Sequence, residues 1–333
     1  MDTYGNWELL GHEWAVNLLQ GHLTNQRVRH AYLIAGPQGV GRRTMAIRLA
    51  QALNCTNLVG PVNPCGKCRV CNLLEKMQHP DLSVVQAEQT GRALKVDQIR
   101  DLQRTLSLAP YETKFKIALL LRFEEANLNA ANALLKILEE PPPHVILLLT
   151  ASDPEALLPT IISRCELIKL RPLSIHQVRE GLQTRWELSK DQALLLAHLS
   201  GGRPGYALYL NQNPEILDQR QNQLDDLQSL LTLTRTKRFS FAEELAKDKA
   251  TLQSTLQTWL TFWRDILLEG TGSTVPLTNI DRKAEIIALS EKLDFHTTKE
   301  IIHKLEYSIF QIEKFMNARL VTEVFMMDLP HLS

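Results

Sequence analysis

Two groups of residues in this chain have the types and spacing for chemistry. The first is Gly36-Pro37-Gln38-Gly39-Val40-Gly41-Arg42-Arg43-Thr44. A working phosphate loop reads G-x-x-x-x-G-K-[ST]: its glycines expose backbone N–H groups, its lysine reaches the β/γ-phosphates, and its hydroxyl holds Mg²⁺. Gly36, Gly39 and Gly41 supply the turn, but the lysine position is Arg42 and the hydroxyl position is Arg43. A guanidinium has five donors and no acceptor, so it cannot ligate a metal. The turn therefore keeps the form of a phosphate loop without its catalytic side chains. Arginine suits phosphate well, and the sequence leaves open whether ATP still binds here without being hydrolysed.

The second group is Cys55, Cys65, Cys68 and Cys71, spaced C-x9-C-x2-C-x2-C. Four thiolates so spaced can enclose a tetrahedral Zn²⁺, and Gly66 eases the tight backbone between them. A full set of four leaves no open coordination position, so the expected role is structural zinc rather than catalysis. His79 lies nearby, but the ligand set is already complete. Cys165, far downstream, reads as a small buried residue.

A phosphate loop also needs carboxylates at the end of a neighbouring strand to hold Mg²⁺ and orient water. The apolar run Lys116–Leu121 continues as Arg122-Phe123-Glu124-Glu125. Directly after the strand, the acid positions hold Leu121 and Arg122, and a cation there repels Mg²⁺. Glu124 and Glu125 come two or three residues late, a shift that moves a carboxylate out of catalytic placement. They are expected to be solvated charges opening a helix.

These residues need elements to position them. Candidate strands are Ala31–Ala35, Leu82–Gln86, Lys116–Leu121 and Val145–Thr150. Candidate helices are His12–Thr24, Arg42–Asn54, Val96–Leu108, Ala130–Glu140, Pro154–Ile162, Ile175–Trp186 and Lys190–Ser200. Apolar strands alternating with helices predict a parallel sheet covered on both faces, with the phosphate loop between a strand and a helix. Pro141-Pro142-Pro143 ends a helix firmly. From about Asn213 to Met327 the pattern is almost entirely helical, broken at Gly270-Thr271-Gly272-Ser273. The domains expected are an α/β domain over 1–168 with a zinc module at 55–71, a small helical domain over 169–210, and an all-α domain over 211–333.

The chain has 333 residues, 44% hydrophobic and 22% charged, with no formal net charge. That composition is ordinary for a globular protein and excludes attraction to nucleic acid or membrane by the whole molecule. Arg92, Lys95, Arg100 and Arg104 read as a solvated face. The N-terminus lacks the regions of a signal peptide, and the apolar runs are too short to span a bilayer. A cytoplasmic protein is expected.

In their order, several motifs make a specific set. They are Gly11-His12-Glu13, His30-Ala31-Tyr32-Leu33, the degenerate loop, the four-cysteine insertion, Ala131–Pro142 and Ser163-Arg164-Cys165. The set resembles the bacterial clamp-loader AAA+ subunits of DNA polymerase III, those of the delta-prime type above all, over about residues 8–208. The resemblance implies an AAA+ P-loop domain, a helical lid and a C-terminal collar through which subunits assemble. It implies motor partners of the tau/gamma type, a delta subunit, and the sliding clamp and primed DNA met through the complex. It also implies a member that does not hydrolyse ATP, and an Arg164 that reaches the ATP of a neighbouring motor subunit in trans. A lid arginine that senses the γ-phosphate falls at Gly205, with Arg203 close by, and a sensor position falls at Thr150. Asn132 and Lys136 are placed toward partners. Two rival readings are an active P-loop ATPase using Arg42, Glu124 and Glu125, and a zinc-dependent nucleic-acid-binding module.

Overall fold

The structure is a computed structural model that describes residues 7–88, 93–314 and 316–332. Met1–Asn6, where the signal-peptide reading falls, and Arg92 lie outside the described residues. The chain forms two compact units, one made of the residues up to Trp186 with Gly202–Tyr206, the other of Glu187–Gly201 and the residues from Ala207 on.

The first unit is built on a five-stranded sheet. Its strands are β1 (Ala31–Ala35), β2 (Leu82–Val85), β3 (Lys116–Leu120), β4 (Val145–Ala151) and β5 (Glu166–Lys169), in the order β2-β3-β4-β1-β5. Every pairing is parallel; Ala31 to Ala35 of β1 face Leu147 to Ala151 of β4. Strands buried on both sides must be apolar throughout, and β1, β3 and β4 are buried along their whole length.

Successive side chains alternate between two cores. Tyr32, Ile34, Ile117, Leu119, Ile146 and Leu148 join helices α1 (Glu13–Thr24), α2 (Arg42–Asn54) and α3 (Arg69–Glu75) on one face. Ala31, Leu33, Ala118, Leu120, Leu147 and Leu149 join α4 (Val96–Leu106), α5 (Leu128–Glu139) and α6 (Pro159–Ile162) on the other. Helix α7 (Ile175–Trp186) completes this unit together with the first turn of α9 (Pro204–Gln212).

The second unit is helical. It holds α8 (Lys190–Leu199), the rest of α9, α10 (Pro214–Thr232), α11 (Arg235–Leu245), α12 (Lys249–Gly270), α13 (Lys283–Lys292), α14 (Phe295–Glu313) and α15 (Ala318–Asp328). Its core gathers Trp259, Phe262, Trp263 and Phe325 with leucines of α10 and α14. Helix α12 stops at Gly270, and the chain turns through Gly272 at φ 63°, as the glycine pattern predicts.

The sequence reading missed β5, α3 and α9. The fifth strand is four residues long with two charged ends, too brief for a clear alternation. The stretch expected as one helix over Pro154–Ile162 is a 3₁₀ turn at Pro154–Ala156 and a separate α6, because Leu157-Leu158-Pro159 restarts the chain in extended geometry. Helix α5 begins two residues earlier than the apolar pattern suggests. The Asn127 side chain caps it by accepting the Ala130 N–H at 2.8 Å.

Candidate metal centre and degenerate phosphate loop

Helix α2 ends at Asn54, and the next residue, Cys55, starts the excursion that returns as α3. The four cysteines converge there. The Sγ atoms of Cys55 and Cys65 are 3.5 Å apart, those of Cys55 and Cys68 3.9 Å, and those of Cys65 and Cys71 4.0 Å. All four lie within 4.8 Å of one another. Four sulfurs at about 2.3 Å from a tetrahedral ion stand about 3.8 Å apart, so the cluster can hold one metal ion.

Backbone N–H groups point at these sulfurs: Cys68 N at 3.2 Å and Lys67 N at 3.4 Å from Cys65 Sγ, and Cys71 N at 3.4 Å from Cys68 Sγ. Burial pushes the Cys68 thiol up, yet the Cys71 N–H and the Thr56 groups outweigh it and bring the thiol to about 6. Cys71, fully buried at the start of α3, is raised by its burial. Cys165 stands apart, half-buried against the second core, its thiol pushed up to about 12 by burial.

His79 belongs to a different network. Its Nδ1 accepts the Asp81 N–H at 3.0 Å, and its Nε2 lies 3.2 Å from Glu112. Glu112 in turn pairs with Arg69, the first residue of α3, at 2.5 Å. Asp81 accepts from the backbone N–H groups of Tyr111, Glu112 and Thr113 at 2.6, 2.9 and 3.0 Å. This histidine orders the loop before β3.

The phosphate loop follows β1. Gly36 sits at φ 147°, and a Cβ there would stand 2.4 Å from the Leu170 carbonyl oxygen. Gly39, at φ 83°, would bring a Cβ to 2.7 Å from Tyr206. Its carbonyl accepts the Gly205 N–H at 2.8 Å, so the loop is tied to the first turn of α9. Gly41 begins α2 without a side-chain cap, and Arg43 and Thr44 are exposed on the first turn. His12 supports the loop from beneath: it is 4% exposed, its Nε2 lies 3.0 Å from the Val40 carbonyl oxygen, and burial lowers its pKa. The sequence named Gly11-His12-Glu13 only as a motif, since nothing local says that residue 12 meets residue 40.

Arg42 turns inward, its side chain only 10% exposed, with Nη1 3.9 Å from Glu124 Oε1. Burial lowers the Arg42 pKa, Glu124 opposes this, and Arg122 adds to it. Strand β3 ends at Leu120, Leu121 packs into the first core, and Arg122 takes the left-handed conformation at φ 49°. The Arg122 N–H donates to Thr150 Oγ1 at 2.9 Å, and its Nε donates to Glu125 at 2.9 Å.

The two glutamates are thus not the solvated charges expected. Glu124 and Glu125 lie on a 3₁₀ turn, their side chains 19% and 15% exposed, and Glu124 also accepts the Ser152 N–H at 2.9 Å. Arg42, drawn beneath the surface, needs a counter-charge, which Glu124 supplies, while Arg122, 31% exposed, pairs with Glu125. Arg203 stacks on Tyr206, its guanidinium carbon 4.5 Å from the ring centre.

Arg164 lies between α6 and β5, 36% exposed. Its Nη1 donates to the Thr160 carbonyl at 2.9 Å, and its Nη2 pairs with Glu139 at 2.9 Å. On α4 the basic residues behave as a solvated face. Arg100 pairs with Asp97 and Arg104 with Asp101, all well exposed, and Lys95 lies 3.6 Å from Glu88. Asn132 and Lys136 line a groove of about 480 Å³ beside them, with Arg100 and Gln103.

Comparison with known proteins agrees with this layout. The family model described as DNA polymerase III, delta subunit, matches residues 11–174, and its C-terminal counterpart matches residues 214–331. The DNA polymerase III subunit delta' of Bacillus subtilis is 32% identical over 256 residues, 76% of this chain and 76% of that protein. The delta' subunit of Pseudomonas aeruginosa is 43% identical over 136 residues, 41% of each chain. The tau subunit of Escherichia coli is 37% identical over 176 residues, 53% of this chain but only 27% of its own length. Matched at both ends and related along three-quarters of its length, the chain belongs to the DNA polymerase III delta-prime family of clamp-loader subunits.

Proposed function

We propose that this chain serves the DNA polymerase III clamp loader without hydrolysing ATP itself, and that it places Arg164 against the nucleotide of a neighbouring motor subunit. The observation that carries the reading is the pair of internal ion pairs, Arg42–Glu124 and Arg122–Glu125, standing where a phosphate-loop site needs a lysine and metal-binding carboxylates, while Arg43 takes the place of the hydroxyl. Neither arginine can ligate Mg²⁺, and each carboxylate faces an arginine through its Oε1. An arginine supplied in trans stabilises charge on the transferring phosphoryl group. Its partners are motor subunits of the tau/gamma type and a delta subunit, with the sliding clamp and primed DNA met through the assembled complex. In this reading residues 1–168 are the AAA+ domain, 169–210 the lid and 211–333 the collar. The metal is a structural Zn²⁺, held by a closed thiolate shell with no position left for substrate. Such a protein works in the cytoplasm.

The test is steady-state ATP turnover by the isolated chain and by the complex reconstituted with its motor subunits. The isolated chain is expected to show none. In the complex, Arg164→Ala is expected to slow turnover tenfold or more, about 1.4 kcal/mol of barrier. Mg²⁺-dependent turnover by the isolated chain that Glu124→Gln abolishes would overturn the reading, as would a complex indifferent to Arg164→Ala.

A further inference from the structure

Glu139 is the last residue of α5, immediately before the segment that Pro141–Pro143 force out of helical geometry. Its backbone is therefore fixed, and its carboxylate is half exposed, with Oε1 2.9 Å from Arg164 Nη2. On the other terminal nitrogen, Nη1 donates to the Thr160 carbonyl at 2.9 Å and, more weakly, to Ser163 Oγ at 3.5 Å. Each terminal nitrogen of the guanidinium is thus tied to its own chain, while no partner among the described residues engages Nε. A long side chain that is 36% exposed would otherwise sample many rotamers and lose them on meeting a phosphate. The location also suits a cation, because the C-terminal end of α5 carries partial negative charge.

We propose that Glu139 is the positioning residue of Arg164. It fixes the guanidinium in one arrangement before a phosphate arrives and leaves the remaining N–H donors for that phosphate. This rests on the reading that Arg164 acts in trans. Glu139 itself touches no nucleotide; it acts through the arginine, and a group that must be placed accurately loses rate when its support is removed.

The experiment is ATP turnover against ATP concentration in the reconstituted complex carrying Glu139→Gln, Arg164→Ala, or both. Glu139→Gln is expected to lower kcat about two- to fivefold, the size of one exposed ion pair, with KM unchanged. The double variant is expected to match Arg164→Ala alone, since Glu139 has nothing left to position. A merely structural role for Glu139 would slow the double variant further, and that result would overturn the proposal. So would a Glu139→Gln complex as fast as the parent, or faster, while Arg164→Ala is slow. A complex indifferent to Arg164→Ala would instead sink the in-trans reading, and this proposal with it.

Discussion

Removing the metal from the four-cysteine cluster is expected to unfold the segment from Cys55 through α3 and lower the stability of the α/β unit by about 5 kcal/mol. Helix α3 is seven residues long, and isolated helices below about 12 residues are marginal in water. It is held by the thiolates at its start and by Val70 and Leu74, 6% and 1% exposed. Burying two such side chains is worth about 3–6 kcal/mol together, an upper estimate because unfolded chains are partly collapsed. Gln51, 1% exposed, donates to the Cys71 carbonyl at 2.9 Å, and orphaning that amide costs about 1–3 kcal/mol more. For a unit of this size, each kcal/mol moves the melting midpoint by about 2–4 °C, so the expected shift is roughly 10–20 °C.

Cys68→Ser isolates the metal's share. Cys68 is the N-cap of α3 and accepts the Cys71 N–H, a task serine performs well. The substitution therefore keeps the cap and removes one ligand. The assay is thermal unfolding with and without a strong chelator, alongside metal analysis expected to give one Zn²⁺ per chain. A metal-free protein that melts within about 2 °C of the metal-bound one would refute the reasoning.

Two further substitutions test the networks around the site and in the helical unit. Burial raises the Asp81 pKa, but the N–H groups of Tyr111, Glu112 and Thr113 outweigh it and hold the carboxyl below its ordinary value. Its contribution is thus present above the unfolded pKa of about 3.9 and is lost as pH falls through the lower folded value; Asp81→Asn should flatten the acid limb of urea unfolding, and identical limbs would contradict this. Arg238, 4% exposed, donates to the carbonyls of Leu230 and Leu231 near the end of α10 and of Met326, Leu329 and Pro330 at the end of α15. Arg238→Met should cost about 3 kcal/mol or more by leaving these acceptors unpaired, seen as an earlier loss of helical signal on heating, and an unchanged melt would rule that out.

The parts legible in the sequence are those set by local rules. Helix α2 runs from Arg42 to Asn54, as read from the apolar pattern after the glycines, and β1 covers Ala31–Ala35 as read. The cysteine spacing foretold a cluster because cysteines separated by two residues can turn their sulfurs toward one centre. What stayed hidden depends on long-range meetings. Arg42 and Glu124 are far apart in sequence and adjacent only because β1 and β3 flank β4 in the sheet. The same is true of His12 beneath Val40 and Glu139 beside Arg164. Reading Glu124 and Glu125 as solvated followed from their local context, a polar turn after a strand. The unseen arginine across the sheet reversed it.

That reversal bears on how the loop came to rest in its present chemistry. Two guanidinium groups and two carboxylates stand together here, Arg42 with Glu124 and Arg122 with Glu125, and their formal charges cancel. In a neutral, partly buried quartet, removing one member leaves a charge without its partner. For fully buried pairs that costs about 3–5 kcal/mol, and less here because the side chains keep some exposure. Arg42→Lys alone restores a phosphate-loop lysine but leaves Arg122 beside it. Arg122→Asp alone supplies an acid but sets it beside Glu124 and Glu125, three negative charges against Arg42. A Mg²⁺ ion entering the present quartet would lie close to both arginines and be repelled by them. The charge balance of the quartet therefore opposes changing Arg122 alone, while Arg42→Lys leaves that balance intact.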